Sequence, residues 1–249
     1  MKILICGVGG RMGREVAKLA LAGMRDAHVV AGLDVIPVDT QDFRTYTDWK
    51  LVEEDADCII DFSNHAGTEA LLRYATEKGI PTVIATTGHT PEELERIAKA
   101  AELIPIVQSA NMSLGIALLV ELAKMTAKSF PDADIEIVEK HHNRKLDAPS
   151  GTALLLANAI KEVREDAAFV LGRSGQAKRQ PEEIGIHAIR MGNIIGEHEV
   201  IVGTDSQTIT LKHEAHSRSL FAEGAIAAAA FLIGKPAGMY DMKSMVSAD

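Results

Sequence analysis

Lys2-Ile3-Leu4-Ile5-Cys6-Gly7-Val8-Gly9-Gly10-Arg11-Met12-Gly13 decides how the rest of the chain is read. A short apolar run, Lys2–Cys6, reads as a strand and breaks into glycine. A helical pattern follows over 11–22, with Met12, Val16, Leu19 and Ala20 on one face. Outward from this turn the alternation continues. His28–Leu33 and Cys58–Asp61 read as strands, 66–78 as a helix closed by Gly79, and 81–85 as a fourth strand. Thr90-Pro91-Glu92-Glu93 is a helix start: a Thr cap, Pro at the first helical position and acids in the first turn. A fifth strand spans 104–108. Short apolar strands alternating with helices predict an α/β fold with a doubly wound parallel sheet covered on both faces.

The glycines do not fit G-x-G-x-x-G, because Met12 takes the third place; Gly7, Gly10 and Gly13 fit G-x-x-G-x-x-G. Such a turn lets a pyrophosphate approach backbone N–H groups at a helix N-terminus. Asp34 ends the second strand, about 20 residues further on, where a carboxylate can accept from adenosine ribose hydroxyls. The alternative is a purely structural strand-to-helix turn. Asp34 repels a 2′-phosphate, Val35 supplies no cation and Arg11 is the local base, so NADH is expected over NADPH.

Beyond residue 111 the pattern changes. A long helix over 114–130, a strand over 135–140 and a helix over 150–163 precede a polar stretch, 172–185, read as a loop. Three strand-like runs, 186–191, 197–203 and 208–214, are joined by short turns suited to antiparallel hairpins. This is an α+β unit with an open mixed sheet. Residues 220–233 are apolar on every side, which predicts a buried helix returning to pack on the first unit. The expected organisation is a discontinuous dinucleotide-binding domain, 1–112 and 219–249, and a substrate-binding domain, 113–218.

Composition narrows the class. With 26 Lys+Arg against 35 Asp+Glu, the net charge of −9 disfavours a nucleic-acid binder. At 249 residues and 47% hydrophobic content the chain can bury a core without disulfides. Cys6 and Cys58 are expected as buried free thiols in a reducing compartment. The longest apolar stretch, 224–234, is too short to span a bilayer, and glycine arrives too early for a signal sequence. A cytoplasmic protein without membrane or nucleic-acid partners is expected.

The densest chemistry is Glu139-Lys140-His141-His142-Asn143-Arg144-Lys145-Leu146-Asp147-Ala148-Pro149-Ser150-Gly151-Thr152. Cations on a loop meet a helix start whose N–H groups and hydroxyls suit a ligand with more than one carboxylate. Each member has a plainer reading. Adjacent His141 and His142 point to opposite faces of a strand, which disfavours a shared metal, and no metal is expected. Lys145 could be a solvated loop lysine, and Ser150 or Asp147 a helix cap. His213 and His216 read as structural. Thr86-Thr87-Gly88 and Ala110-Asn111-Met112-Ser113 follow the fourth and fifth strands, at the carboxyl edge where such sheets bind ligands.

These motifs resemble the 4-hydroxy-tetrahydrodipicolinate (dihydrodipicolinate) reductase family. The resemblance is carried by residues 7–13, Asp61-Phe62-Ser63, Thr86-Thr87-Gly88, Asn111-Met112-Ser113-Leu114-Gly115, the 139–152 segment, Gly196-Glu197-His198 and Gly238-Met239-Tyr240-Asp241-Met242. It implies a Rossmann-like cofactor domain, a second domain that also carries tetramerisation, and the diaminopimelate–lysine pathway. It implies His141 as proton donor and Lys145 as catalytic lysine, with His142, Lys145, Ser150, Gly151 and Thr152 around a dicarboxylate. Gly7, Val8, Gly9, Gly10, Arg11, Met12, Asp34, Ala85, Thr86, Thr87, Gly88, Ala110, Asn111, Met112 and Arg218 would serve the NADH or NADPH cofactor. Ala85 stands where the family pattern has glycine, Asn64 where some members carry a base, and Val35 where some carry a cation. Two rival readings are another two-domain nicotinamide dehydrogenase and a non-catalytic dinucleotide sensor. A semialdehyde dehydrogenase would want a nucleophilic cysteine on a loop, and a sensor would not need the His141–Lys145 cluster.

Overall fold

β-rich apolar runs at the start of the chain become the middle of a parallel sheet in the computed structural model, which describes residues 1–246. The chain divides into two units, Met1–Leu114 with Ser219–Val246, and Gly115–Arg218. The first division falls after Leu114, and the Asn111 carboxamide accepts the Ser113 N–H in a local turn just before the next helix. Residues 247–249 of the expected 219–249 segment lie outside the described residues.

In the first unit the strands are β1 (Lys2–Cys6), β2 (His28–Leu33), β3 (Arg44–Tyr46), β4 (Cys58–Asp61), β5 (Thr82–Ile84), β6 (Pro105–Gln108) and, from the chain's end, a strand at Gly238–Tyr240. All pair in parallel, in the order Gly238–Tyr240, β6, β5, β4, β1, β2, β3. Buried side chains on both faces of β1 and β4 explain their near-continuous apolar sequence. The strands Arg44–Tyr46 and Gly238–Tyr240 were not legible as apolar runs. Each is three residues long, sits at a sheet edge and lacks a fully buried residue.

The helices are α1 (Arg11–Leu21), α2 (Thr68–Lys78) and α3 (Pro91–Ala100). One 3-10 turn, His65–Gly67, precedes α2, and Gly79 closes it in the left-handed region. Thr90 and Glu93 form a reciprocal capping box on α3. Helices α2 and α3 cover the face carrying Leu4, Cys6, Ile59, Ile84 and Ile106.

The second unit holds α4 (Leu114–Ser129), β7 (Asp134–His141), α5 (Gly151–Lys161), β8 (Ala168–Leu171), β9 (Glu183–Arg190), β10 (Gly196–Gly203) and β11 (Thr208–Ala215). Its sheet runs β11, β10, β7, β9, β8. β10 is antiparallel to β11 and β7, whereas β9 is parallel to β7 and β8. Ile135, Ile137, Ile184, Ile186, Val200 and Val202 pack with Leu119, Ala123, Leu156 and Ile160 of the helices. The opposite face carries ion pairs from Lys140 to Glu197 and Glu199.

Two expectations are corrected here. Only the β10–β11 connection is a hairpin; β7 lies between β9 and β10. The turn after β9 bonds instead to the end of β7: Met191 N–H to His141 O, His142 N–H to Ile194 O and Asn143 N–H to Gly192 O. The stretch 172–185 is not all loop, since its last three residues open β9.

The returning helix, α6 (Ser219–Leu232), belongs to the first unit. It packs on α1 and on β4, β5 and β6, and its Ala222, Ala225, Ile226, Ala228 and Ala229 are fully buried. Gly224 sits against the backbone carbonyl of Met112, where a Cβ would overlap it. Gly224→Ala should therefore destabilise the protein by about 1–3 kcal/mol. Urea unfolding measures this; a midpoint unchanged from the native protein would contradict the contact.

Candidate active site

The glycine turn is built around tight approaches. Gly7 has φ +79, and a Cβ there would meet the Phe62 carbonyl. A Cβ on Gly13 would overlap the Gly7 carbonyl, so the third glycine lets α1 start directly against the turn. The turn's own N–H groups are mostly engaged. Gly7 and Val8 donate to Leu33 O, Gly10 donates to Gly7 O, and Gly9 donates to Asp34 Oδ2 at 2.8 Å. Val8 is buried, with its side chain packed toward Gly32. The Val8 side chain thus belongs to the core of the turn. Arg11 and Met12, in the first turn of α1, retain the N–H groups that helix geometry leaves without intrahelical partners.

A cleft of about 960 Å³ follows, lined by Gly7, Gly9, Gly10, Leu33, Asp34 and Arg14 among others. Arg14 is a cation that the sequence reading passed over; it lies one helical turn on from Gly10, and that spacing was the available signal. A second cavity of about 450 Å³ is lined by Arg11, Met12, Ala85, Thr86, Thr87, Ala110 and Met112. Inside it the Thr86 hydroxyl is buried without a hydrogen-bond partner. Gly88 adopts a positive φ just beyond, and Asn111 holds the adjoining turn. A glycine turn open to a pyrophosphate, a ribose-ready carboxylate and an orphaned hydroxyl fit a nicotinamide dinucleotide.

In the second unit β7 ends on His141, and the following loop leads into α5. Glu139 and His141, two apart on a strand, share a face. The Glu139 side chain is fully buried. Its Oε2 accepts from His141 Nδ1 at 2.5 Å and Arg190 Nη1 at 2.8 Å. Its Oε1 accepts from Arg190 Nη2 at 2.7 Å and the Ser150 N–H at 3.0 Å. Burial pushes this carboxyl up, but hydrogen bonds from His141, Arg190 and Ser150 outweigh it and hold the group at about 2. Arg190 Nη2 also donates to Asp147 O.

Ser150 is buried, caps α5 by accepting the Ala153 N–H, and faces His198 Nε2 at 3.0 Å. Its N–H and hydroxyl are engaged within the protein, and it orders the helix start. Gly151 is exposed with open space beside it, and Thr152 follows. Lys145 Nζ pairs with Asp147 Oδ1 at 2.8 Å. Burial, then the cations Arg144 and Arg218, push His142 down toward its neutral form. Arg218 ends the second unit, and its charge acts on His142. Burial, with His141 adding to it, lowers His198 to about 4.

Glu139 and Arg190 were missed as functional groups. The signal for Glu139 is its two-residue spacing from His141 on a strand, which puts both on one face. Arg190 had no sequence signal, because its approach depends on β9 pairing with β7. A carboxyl held low in the folded state contributes stability above its unfolded value, and that contribution is lost as pH falls toward the folded value. Between pH 4.5 and about 2 the native protein should thus lose on the order of 2–3 kcal/mol that Glu139→Gln does not lose. Urea melts of both proteins at several pH values measure this; parallel pH curves would contradict it.

The comparisons with known proteins agree with one another. The model for the dihydrodipicolinate reductase N-terminus matches residues 1–112, and that for its C-terminus matches 115–246. A 4-hydroxy-tetrahydrodipicolinate reductase of Caldanaerobacter subterraneus is 49% identical, over 99% of this chain and 98% of its own. One from Clostridium tetani is 44% identical, over 99% and 97%. The fold is shared with a dipicolinate-bound dihydrodipicolinate reductase from Paenisporosarcina sp. TG-14 (TM-score 0.82, 24% identity, 99% of both chains). An amine dehydrogenase from Mycobacterium smegmatis shares it more distantly (TM-score 0.64, 11% identity, 98% and 95%). With both halves matched and relatives this similar across the whole length, the chain belongs to the dihydrodipicolinate reductase family, whose members are nicotinamide-dependent oxidoreductases.

Proposed function

We propose that this enzyme reduces 4-hydroxy-tetrahydrodipicolinate, by way of dihydrodipicolinate, to tetrahydrodipicolinate in the diaminopimelate–lysine pathway. The observation that carries the reading is an imidazole, a lysine and a helix N-terminus on one segment of the second unit, in a member of this family. A bound nicotinamide supplies the hydride. The N–H groups of Gly151 and Thr152, at the positive end of α5, take one carboxylate. Lys145, held in place through Asp147, takes the other and offsets charge that develops on the ring. His142, pushed toward neutral, donates or accepts a hydrogen bond without adding charge. His141, when doubly protonated, delivers a proton from Nε2 and keeps the other on Nδ1, which is engaged with Glu139.

In the first unit Gly7, Gly9 and Gly10 give close backbone approach, Arg11 and Met12 meet the pyrophosphate, and Asp34 takes the adenosine ribose. Thr86, Thr87, Ala110 and Met112 border the nicotinamide end. Asp34 opposes a 2′-phosphate and Arg14 offsets part of that repulsion, so NADH is favoured with NADPH also accepted. By family likeness the enzyme is a cytoplasmic homotetramer, assembled through the sheet face that α4 and α5 leave uncovered.

His141→Gln should lower kcat by about 10²–10⁴-fold, with dinucleotide affinity unchanged. Absorbance at the reduced nicotinamide band, with freshly made substrate, reads it, and a near-native kcat would remove His141 from the reaction. Asp34→Ala should weaken NADH more than NADPH in fluorescence titrations. The reverse ranking would contradict the cofactor preference.

A further inference from the structure

The proton on His141 has a definable place, because of what its neighbour can and cannot do. An ionised carboxylate only accepts hydrogen bonds. Glu139 has each oxygen engaged twice: Oε1 by Arg190 Nη2 and the Ser150 N–H, Oε2 by Arg190 Nη1 and His141 Nδ1. The two parallel contacts from Arg190 form a bidentate pair, which fixes the plane of the carboxylate. The Arg190 guanidinium is in turn tied to the Asp147 carbonyl, in the loop that carries Lys145. Facing so committed an acceptor, Nδ1 of His141 must be the protonated nitrogen.

The other side of the ring is arranged to match. His141 Nε2 makes no hydrogen bond among the described residues, and a Cβ on residue 196 would stand 3.1 Å from it. Glycine at 196 therefore leaves the approach to Nε2 clear. His198 packs edge-on against His141, with ring centroids 5.2 Å apart, and its Nε2 is engaged with Ser150 Oγ. The charged and titratable groups around His141 include Glu139 on its own strand, the adjacent His142, Arg190 on β9 and His198 on β10.

We propose that Glu139, clamped by Arg190, is the positioning residue of the reaction: it holds the His141 proton on Nδ1 and keeps Nε2 as the atom that exchanges protons with the substrate. The proposal rests on the reading of His141 as proton donor, and its test separates the two. Long-range ¹H–¹⁵N spectra of the native protein read the imidazole directly. Neutral His141 is expected protonated at Nδ1 and bare at Nε2, and the opposite tautomer would overturn the proposal.

Kinetics supply the second readout. Glu139→Gln is expected to lower kcat about 10–100-fold, with KM for substrate and for nicotinamide within about threefold. Combined with His141→Gln it should add nothing further. A Glu139→Gln enzyme with native kcat, alongside a crippled His141→Gln, overturns the proposal and leaves the donor reading intact. A native kcat in His141→Gln overturns the donor reading instead. Because Glu139→Gln strands the Arg190 charge, the double variant Glu139→Gln/Arg190→Gln is measured as well. It should regain thermal stability while kcat stays low; recovery of kcat with stability would show a purely structural role and overturn the proposal.

Discussion

One buried carboxylate holds the second unit's chemistry together. Glu139 lies on β7, yet its hydrogen bonds reach Arg190 on β9 and the Ser150 N–H at the start of α5. Burying such a charge is unfavourable unless it is paired and its lone pairs are filled. Here both conditions are met, and meeting them sets the spacing of three segments at once. Removing one partner would leave the other charged and unsatisfied inside the protein, which is why such a cluster constrains structure even where its net contribution to stability is modest. Ser150 shows the same economy: the N–H satisfies Glu139, and the hydroxyl caps α5 and meets His198. The helix start that would receive a carboxylate and the imidazole that would supply a proton are therefore anchored to the same group.

The first unit solves a different problem with the same logic. A turn meant for a pyrophosphate must leave some N–H groups open yet keep its own shape. Gly7, Val8, Gly9 and Gly10 donate inside the protein, and this rigidity leaves the first turn of α1 for a ligand. Asp34 contributes to both sides of that arrangement. One carboxylate oxygen accepts from Gly9, the other from Val35, and the group still lines the cleft. A ribose would meet a carboxylate whose orientation is already fixed.

Much of this was readable from the chain. The strands Lys2–Cys6, His28–Leu33 and Cys58–Asp61 have the boundaries their apolar runs predict, and α6 is buried as its composition requires. What escaped reading depends on contacts between segments far apart in sequence. The edge strands Arg44–Tyr46 and Gly238–Tyr240 exist because a neighbouring strand offers free backbone groups, not because their side chains form an apolar pattern. The insertion of β7 between β9 and β10 is a topological choice that a two-residue turn cannot announce. At the site, the cluster 139–152 was visible as chemistry and Ser150 as a possible cap, but the bonds that Ser150 and Arg190 make to Glu139 required the tertiary contacts to be known. Low identity with solved relatives makes the same point. An amine dehydrogenase shares the overall fold at 11% identity, so the fold alone would not select the reaction.

The chemistry of the second unit turns on where the ring of a cyclic dicarboxylate comes to rest. A crystal structure with dipicolinate bound is the direct measurement. It should show a carboxylate on the Gly151 and Thr152 N–H groups, Lys145 on the other, and His141 Nε2 within hydrogen-bond reach of the ring, with Nδ1 still on Glu139. A ring bound away from the start of α5, or His141 turned so that Nε2 meets Glu139, would contradict it.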